Sequence, residues 1–98
     1  MENKTGIREV VIEEIIELAH NYGIGKVILF GSRARGDYKK TSDIDLAVKG
    51  GNRVNFALDV EDVTSTLLKF DVIDLDGPVP YYILESIEKE GITIYEEV

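Results

Sequence analysis

Residues 26–48 read KVILFGSRARGDYKKTSDIDLAV, and the architecture of the chain can be worked out from them. The stretch opens with Lys26–Phe30, an apolar run, β-branched at its start, that stops at Gly31. Such a run predicts a buried strand with a sharp exit. Glycine permits backbone angles closed to other residues, and Ser32 adds a hydroxyl and an N–H that suit a phosphate. Taken alone, a strand that ends in Gly-Ser is also typical of an ordinary turn.

The second half of the stretch brings two carboxylates together. If residues 43–48 form a strand, Asp43 and Asp45 share one face and Ile44 points to the other. Two full charges about 7 Å apart repel by about 2 kcal/mol at an effective dielectric of about 20. Because aspartate is also disfavoured in strands, the pattern favours a cation or a basic partner, and Mg²⁺ takes such ligands together with substrate phosphates. A solvated face at a sheet edge is the alternative.

The loop between the two halves is basic, although the chain is acidic. Its cationic residues are Arg33, Arg35, Lys39 and Lys40. The formal net charge of −8 argues against nucleic acid as the main partner, because binding to nucleic-acid backbones depends on Lys and Arg that neutralise phosphates. We predict that Arg33, which directly follows Gly31 and Ser32, binds nucleotide. All four cations could meet a triphosphate or an acidic surface of a partner, and nearness to Gly31 and Ser32 favours Arg33 and Arg35. A solvated loop is the alternative for each.

The combination resembles a known group of enzymes. An apolar strand, Gly-Ser, a spacer and Asp-x-Asp in a second apolar strand are similar to the DNA polymerase beta superfamily of nucleotidyltransferases. GSRARGD at residues 31–37 with SDIDLAV at residues 42–48 resembles the minimal nucleotidyltransferase family in particular. The resemblance covers residues 7–95. It implies a nucleotidyltransferase fold, a nucleoside triphosphate substrate and two Mg²⁺ ions. The expected nucleoside triphosphate is ATP.

The superfamily usually carries a third carboxylate on a later strand. Residues 69–76, KFDVIDLD, offer three candidates in one alternating run. The register of the family favours Asp71, and Asp74 is the second choice. Asp74 and Asp76 would point to the face opposite Asp71, and they run into a turn of Asp, Gly and Pro.

The resemblance also implies a role for each residue. Gly31 and Ser32 are expected to hold the outgoing phosphates. Asp43 and Asp45 are expected to bind the metal ions. Asp71 is expected to help bind the second metal and to act as the base toward an acceptor hydroxyl.

The remaining segments predict an α+β domain with a mixed sheet of about four strands and helices packed on it. Apolar spacing predicts helices over 8–21, 54–68 and 81–90 and strands over 26–30, 43–48, 69–76 and 92–95. At 98 residues the chain is expected to be a single domain, 1–98.

Composition limits the cellular setting. The chain has no cysteine, which excludes disulfides and thiol catalysis and fits a reducing compartment. No apolar stretch approaches the length of a membrane span, and Met1–Lys4 lacks the features of a signal peptide. We therefore expect a cytoplasmic protein that does not enter a membrane.

The acceptor is expected to come from another polypeptide. Larger relatives bind theirs with a helical domain after the catalytic core, and this sequence reaches Val98 without one. Minimal nucleotidyltransferases typically pair with a small helical protein of the HEPN family, often a toxin ribonuclease. The resemblance thus implies an antitoxin that transfers AMP to a tyrosine of this toxin. The alternatives are transfer to a small hydroxylated molecule, or a non-catalytic protein that neutralises its partner by covering it.

Overall fold

The computed structural model describes residues 4–98, which form a four-stranded sheet with helices packed against it. The elements are α1 (Glu9–Asn21), β1 (Lys26–Phe30), α2 (Ser32–Arg35), β2 (Ile44–Lys49), α3 (Arg53–Val63), β3 (Phe70–Asp74), α4 (Tyr81–Glu90) and β4 (Ile92–Glu96). The strand order is β3-β2-β1-β4. Strand β1 is antiparallel to β2 and β4, whereas β2 is parallel to β3. The predicted α+β class with a mixed sheet is confirmed. Between residues 4 and 98, no helix is both long and apolar enough to cross a bilayer.

The hydrophobic core lies on the face of the sheet that α1 and α3 cover. The antiparallel register pairs Val27 with Val48 and Leu29 with Leu46, which places these four side chains on one face. All four are buried. The same core includes Ile7, Val11, Ile15, Ala19, Ile24, Ile44, Phe56 and Val60. Alternation along each strand therefore sends the intervening residues to the opposite face.

The second face of the sheet carries the acidic residues. The pairs on this face are Ile28 with Ala47 and Phe30 with Asp45. Helix α4 packs against β1, and Gly91 at its end lies close to Ile28. No residue of α4 is fully buried. The helix thus covers this face only in part, and Asp45 and Asp71 remain accessible to a ligand.

The helix predicted over residues 54–68 is shorter in the structure, because α3 stops before Thr64. Thr64 is extended, and its hydroxyl donates to the carbonyl of Val60 at 2.5 Å. The N–H and hydroxyl of Ser65 both donate to the Glu14 carboxylate at 2.7 Å. Hydroxyl side chains that form such bonds offer the chain an alternative to continuing the helix. Tertiary contacts with α1 therefore end α3.

The buried face of α3 also differs from the prediction. The apolar spacing singled out Val54, Leu58, Val63, Leu67 and Leu68. In the structure Phe56 and Val60 are fully buried, whereas Val54 is 57% and Leu58 is 60% exposed. A phenylalanine buries a large apolar area, and orienting α3 toward the core through Phe56 turns Leu58 outward.

We expect Phe56→Ala to lower the free energy of unfolding by about 3 to 4 kcal/mol, because it removes a fully buried aromatic ring and leaves a cavity. Leu58→Ala, on the exposed face of the same helix, should change it by less than about 0.5 kcal/mol. Urea unfolding followed by circular dichroism measures both. Equal losses would contradict the observed orientation of α3.

Candidate functional site

The turn after β1 brings Gly31 against the carboxylate of Asp45. Phe30, the last residue of β1, pairs with Asp45 on β2. Gly31 has φ 78° and ψ −156°, a backbone region that is essentially restricted to glycine. A Cβ atom at Gly31 would collide with the Oδ2 atom of Asp45. The one-turn helix α2, absent from the predicted order of elements, begins at the next residue, Ser32. The two halves of the sequence motif are therefore in direct contact.

Three aspartates lie near this turn, close enough for the charges of two of them to act on the third. Parallel pairing aligns Asp45 with Asp71, so the two side chains lie on the same face of neighbouring strands. Asp43 is exposed and lies two residues before Asp45. Burial, followed by the charges of Asp71 and Asp43, raises the pKa of Asp45 to about 6. The structure thus brings together the three aspartates that the sequence analysis selected.

Asp74 lies on the face of β3 opposite Asp71, as alternation along the strand predicts. It pairs with Val48, a residue of the core face. Its carboxylate lies 3.2 Å from the Nε atom of Arg53 and accepts the N–H of Asp76 at 2.9 Å. Asp74 therefore organises the turn after β3 and is turned away from Asp45.

Arg33 has a different environment from the one predicted. Its side chain is 2% exposed, which contradicts the solvated-loop alternative. The Nε atom donates to the carbonyl of Ser42 at 3.0 Å, and Nη1 donates to the carbonyl of Thr5 at 2.9 Å. The Nη2 atom donates to the carbonyls of Lys40 and Lys39 at 3.3 and 3.5 Å. Arg33 is therefore buried with four of its five N–H donors on backbone carbonyls, an environment typical of a structural residue.

Arg35 is the arginine whose charge reaches the site, and the predicted site residues did not include it. Its positive charge lowers the pKa of Asp45, against the larger raising effects. Its Nε atom lies 3.2 Å from the carboxylate of Asp37, and its Nη1 atom lies 3.3 Å from that of Glu90. Residues two apart on a helix lie roughly 200° apart around its axis, so Arg33 and Arg35 face opposite sides of α2. Recognising that α2 is helical would have separated the two arginines.

The donor set suits Mg²⁺ that arrives with a nucleotide. Within residues 4–98, no group of three or more acidic or histidine side chains is arranged closely enough to enclose a metal ion. Mg²⁺ is commonly held by one or two carboxylates, with substrate phosphates and water completing its coordination. The raised pKa of Asp45 reflects its burial first and then the negative charges of Asp71 and Asp43, which the charge of Arg35 only partly offsets. The residues therefore fit such an ion.

Comparison with known proteins places the chain in a family. Residues 13–98 match the sequence family described as "Polymerase beta, Nucleotidyltransferase". Two proteins of Methanocaldococcus jannaschii, each named "Putative protein adenylyltransferase", are similar to it. One is 37% identical over 74% of this chain and 69% of its own length. The other is 30% identical over 96% of this chain and 100% of its own length.

Solved structures share the fold. A crystal structure from Sulfolobus solfataricus, described as a "putative nucleotidyltransferase", is 26% identical, covers 98% of this chain and 89% of that one, and has a TM-score of 0.56. A crystal structure described as "the toxin-antitoxin with AMP-PNP" is 21% identical, covers 88% of this chain and 73% of that one, and has a TM-score of 0.71. The second likeness concerns the fold alone.

The raised pKa of Asp45 makes stability depend on pH. Below about pH 4 this carboxyl is protonated in both the folded and the unfolded chain. Between about pH 4 and pH 6 the unfolded chain loses this proton while the folded chain keeps it, so the free energy of unfolding falls across this interval and the loss is complete above about pH 6. Because Asp45 is only half-buried, we expect solvent screening to reduce this loss to about 1 kcal/mol. In EDTA, Asp45→Asn should therefore stabilise the protein by about 1 kcal/mol at pH 7.5 and by almost nothing at pH 4.

Urea unfolding across this pH range measures the effect. The control is Asp62→Asn, which removes an exposed carboxylate of α3 in place of the half-buried one of β2. If the two variants show the same pH dependence, the electrostatic description of Asp45 is wrong.

Because Gly31 and Asp45 are in contact, we expect substitutions at the two positions to have non-additive effects on the free energy of unfolding. Gly31→Ala should destabilise the protein by about 2 kcal/mol or more, because alanine is strained at this φ and collides with Asp45. The control is Gly23→Ala, which has a similar φ of 66° but open space around it, and should cost about 1 kcal/mol. In an Asp45→Ala background the cost at Gly31 should fall by about 1 kcal/mol while the cost at Gly23 stays the same. Strict additivity at both positions would rule out the contact.

Proposed function

The chain belongs to the polymerase beta family of nucleotidyltransferases, and from that membership we propose that it transfers AMP from ATP to a hydroxyl group of a partner protein. The observation that carries the proposal is the alignment of Asp45 with Asp71, beside Asp43 and against Gly31. Relatives that match nearly the whole chain are named protein adenylyltransferases, which supports a protein acceptor.

In the proposed reaction, the acceptor oxygen forms a bond to the α-phosphorus of ATP. The bond from that phosphorus to its bridging oxygen breaks, and pyrophosphate leaves. Asp43 and Asp45 would hold Mg²⁺, which when bound supplies charge stabilisation for the attacking and leaving oxygens. Asp71 would take the proton from the acceptor hydroxyl. Asp71 is exposed, so a hydroxyl on another protein can approach it.

Other residues would hold the leaving phosphates. Gly31 has no side chain to block the approach of a phosphate to the main chain. Ser32 would donate its hydroxyl to a phosphate oxygen. Arg35 would add a positive charge, exchanging its contacts with Asp37 and Glu90 for phosphate oxygens. The proposal thus retains Gly31 and Ser32 from the sequence analysis and adds Arg35.

The proposed partner is a helical protein of the HEPN type, with this chain acting as its antitoxin. The resemblance to minimal nucleotidyltransferases supports this pairing, and a structural neighbour is described as a toxin-antitoxin. The net charge of −8 favours a partner with a basic surface, because complementary potentials speed encounter and fix orientation. A cytoplasmic setting, where ATP and Mg²⁺ are available, is part of the same proposal.

The test is to incubate the purified chain with ATP, Mg²⁺ and a HEPN-type protein encoded next to it. Intact mass spectrometry should show the addition of one or more AMP units to the partner. Asp71→Asn should lower the transfer rate by about 10²-fold to 10⁴-fold, because the general base is lost, while ATP affinity changes little. The matched control Asp74→Asn, three residues along the same strand, should keep most of the activity.

Calorimetry with ATP and Mg²⁺ separates binding from transfer. Replacing both Asp43 and Asp45 with Asn should abolish Mg²⁺-dependent binding of ATP while leaving the fold intact. Unchanged affinity in this double variant would refute the assigned site. Nucleotide binding without any transfer to the partner would refute the protein acceptor and favour a small hydroxylated molecule.

A further inference from the structure

Arg33 is the one charged side chain that is buried in the described part of the chain. Burying a guanidinium is costly unless its N–H groups find acceptors. The acceptors found for Arg33 are backbone carbonyls, and the ring of Tyr38 lies 4.8 Å from the guanidinium carbon. A carbonyl is fixed to the main chain, so these bonds hold the course of the backbone in place. The burial of Arg33 is therefore favourable only when the loop takes this one path.

The contacts of Arg33 connect the two halves of the site. Arg33 lies on α2, two residues after Gly31. Its Nε atom donates a hydrogen bond to the carbonyl of Ser42, the residue directly before Asp43. The guanidinium thus bridges the turn that faces the phosphates and the segment that leads into the metal-binding carboxylates.

The bridged loop has other contacts of its own: the N–H of Ser42 donates to the carbonyl of Lys39 at 3.0 Å, and the ring of Tyr38 lies close to Gly6. Residues 39–41 are exposed, and within the loop the N–H of Lys39 donates to the hydroxyl of Ser42 at 2.8 Å. Asp43 is itself exposed and precedes the first residue of β2, so the sheet does not fix its side chain. After Asp43, the N–H of Ile44 donates to the carbonyl of Lys69 at 2.8 Å, whereas before it the carbonyl of Ser42 is bound by Arg33. Arg33 therefore fixes the segment that enters Asp43 relative to α2 and the Gly31 turn.

We propose that Arg33 is a positioning residue for nucleotidyl transfer, which sets the place of Asp43 relative to the Gly31–Ser32 turn without touching the nucleotide. The inference rests on the proposed function, because it concerns the geometry of that site. A misplacement of about 1 Å in a reacting constellation can lower a rate about 10²-fold. Loss of Arg33 should therefore act mainly on kcat and much less on KM for ATP.

The decisive experiment is chemical rescue. Arg33→Ala removes the guanidinium and leaves a space that free guanidinium ion can enter. We expect transfer by this variant to fall about 10²-fold in kcat, with KM for ATP within about threefold, and to recover about 10-fold in millimolar guanidinium chloride. Sodium chloride at equal ionic strength and urea, the neutral analogue, should give no recovery. Arg33→Met, which fills the same space with an apolar side chain, should lose activity and should not be rescued.

Hydrogen exchange tests the same inference without catalysis. Amides of residues 37–43 should exchange about 10-fold faster in Arg33→Ala, guanidinium should restore their protection, and α1 should be unaffected. If the wild-type chain transfers no nucleotide, the proposed function fails while this measurement still decides whether Arg33 holds the loop. If Arg33→Ala does not fold, Arg33→Lys replaces it in both experiments. Lysine keeps the positive charge but lacks the planar guanidinium N–H groups, so this variant should show the same faster exchange of the amides of residues 37–43 and the same loss of kcat. Wild-type exchange in the folded variant, or lost activity that guanidinium does not restore, would overturn the proposal.

Discussion

The carboxylate of Asp45 rests against the backbone of Gly31, and the arrangement of the site depends on this contact. It exists because β1 and β2 pair in a register that sets Phe30 opposite Asp45, so that the turn after β1 closes over the carboxylate. Only glycine fits there, since a side chain would both strain the backbone and displace Asp45. Gly31 is thus required both for the backbone conformation of its own turn and for the space that Asp45 of β2 occupies.

Burial and two neighbouring carboxylates make the ionised form of Asp45 unfavourable, and a bound cation would reduce this cost. Asp45, half-buried beside Asp71 and Asp43, has its pKa raised to about 6. Helix α4 covers this face only in part, and Asp71 stays exposed. Parallel pairing of β2 with β3 is what places Asp71 there, and parallel neighbours require a crossover, which α3 provides. The core packing of α3 therefore supports a function on the opposite face of the sheet.

Two arginines of one short motif have divided roles. Arg33 is buried with its donors on backbone carbonyls, whereas Arg35 is half-exposed between two carboxylates with its charge near Asp45. The charge of a guanidinium is the same in both, so solvent exposure and the available acceptors make the difference. A basic loop in a sequence can thus contain, side by side, a buried arginine that binds the backbone and an exposed one that pairs with carboxylates.

Local patterns in the sequence determined the strands, the mixed α+β class and the helices α1 and α4, because alternation and helical spacing depend only on neighbours in the chain. Asp43, predicted to begin the second strand, lies one residue before β2. Alternation placed Asp71 and Asp74 on opposite faces of the third strand, and the resemblance to the family favoured Asp71. Tertiary structure decided the end and orientation of α3, where Glu14 captures Ser65 and Phe56 turns inward. It also decided the burial of Arg33, because the carbonyls that receive its donors come from segments distant in sequence, which no local pattern can specify.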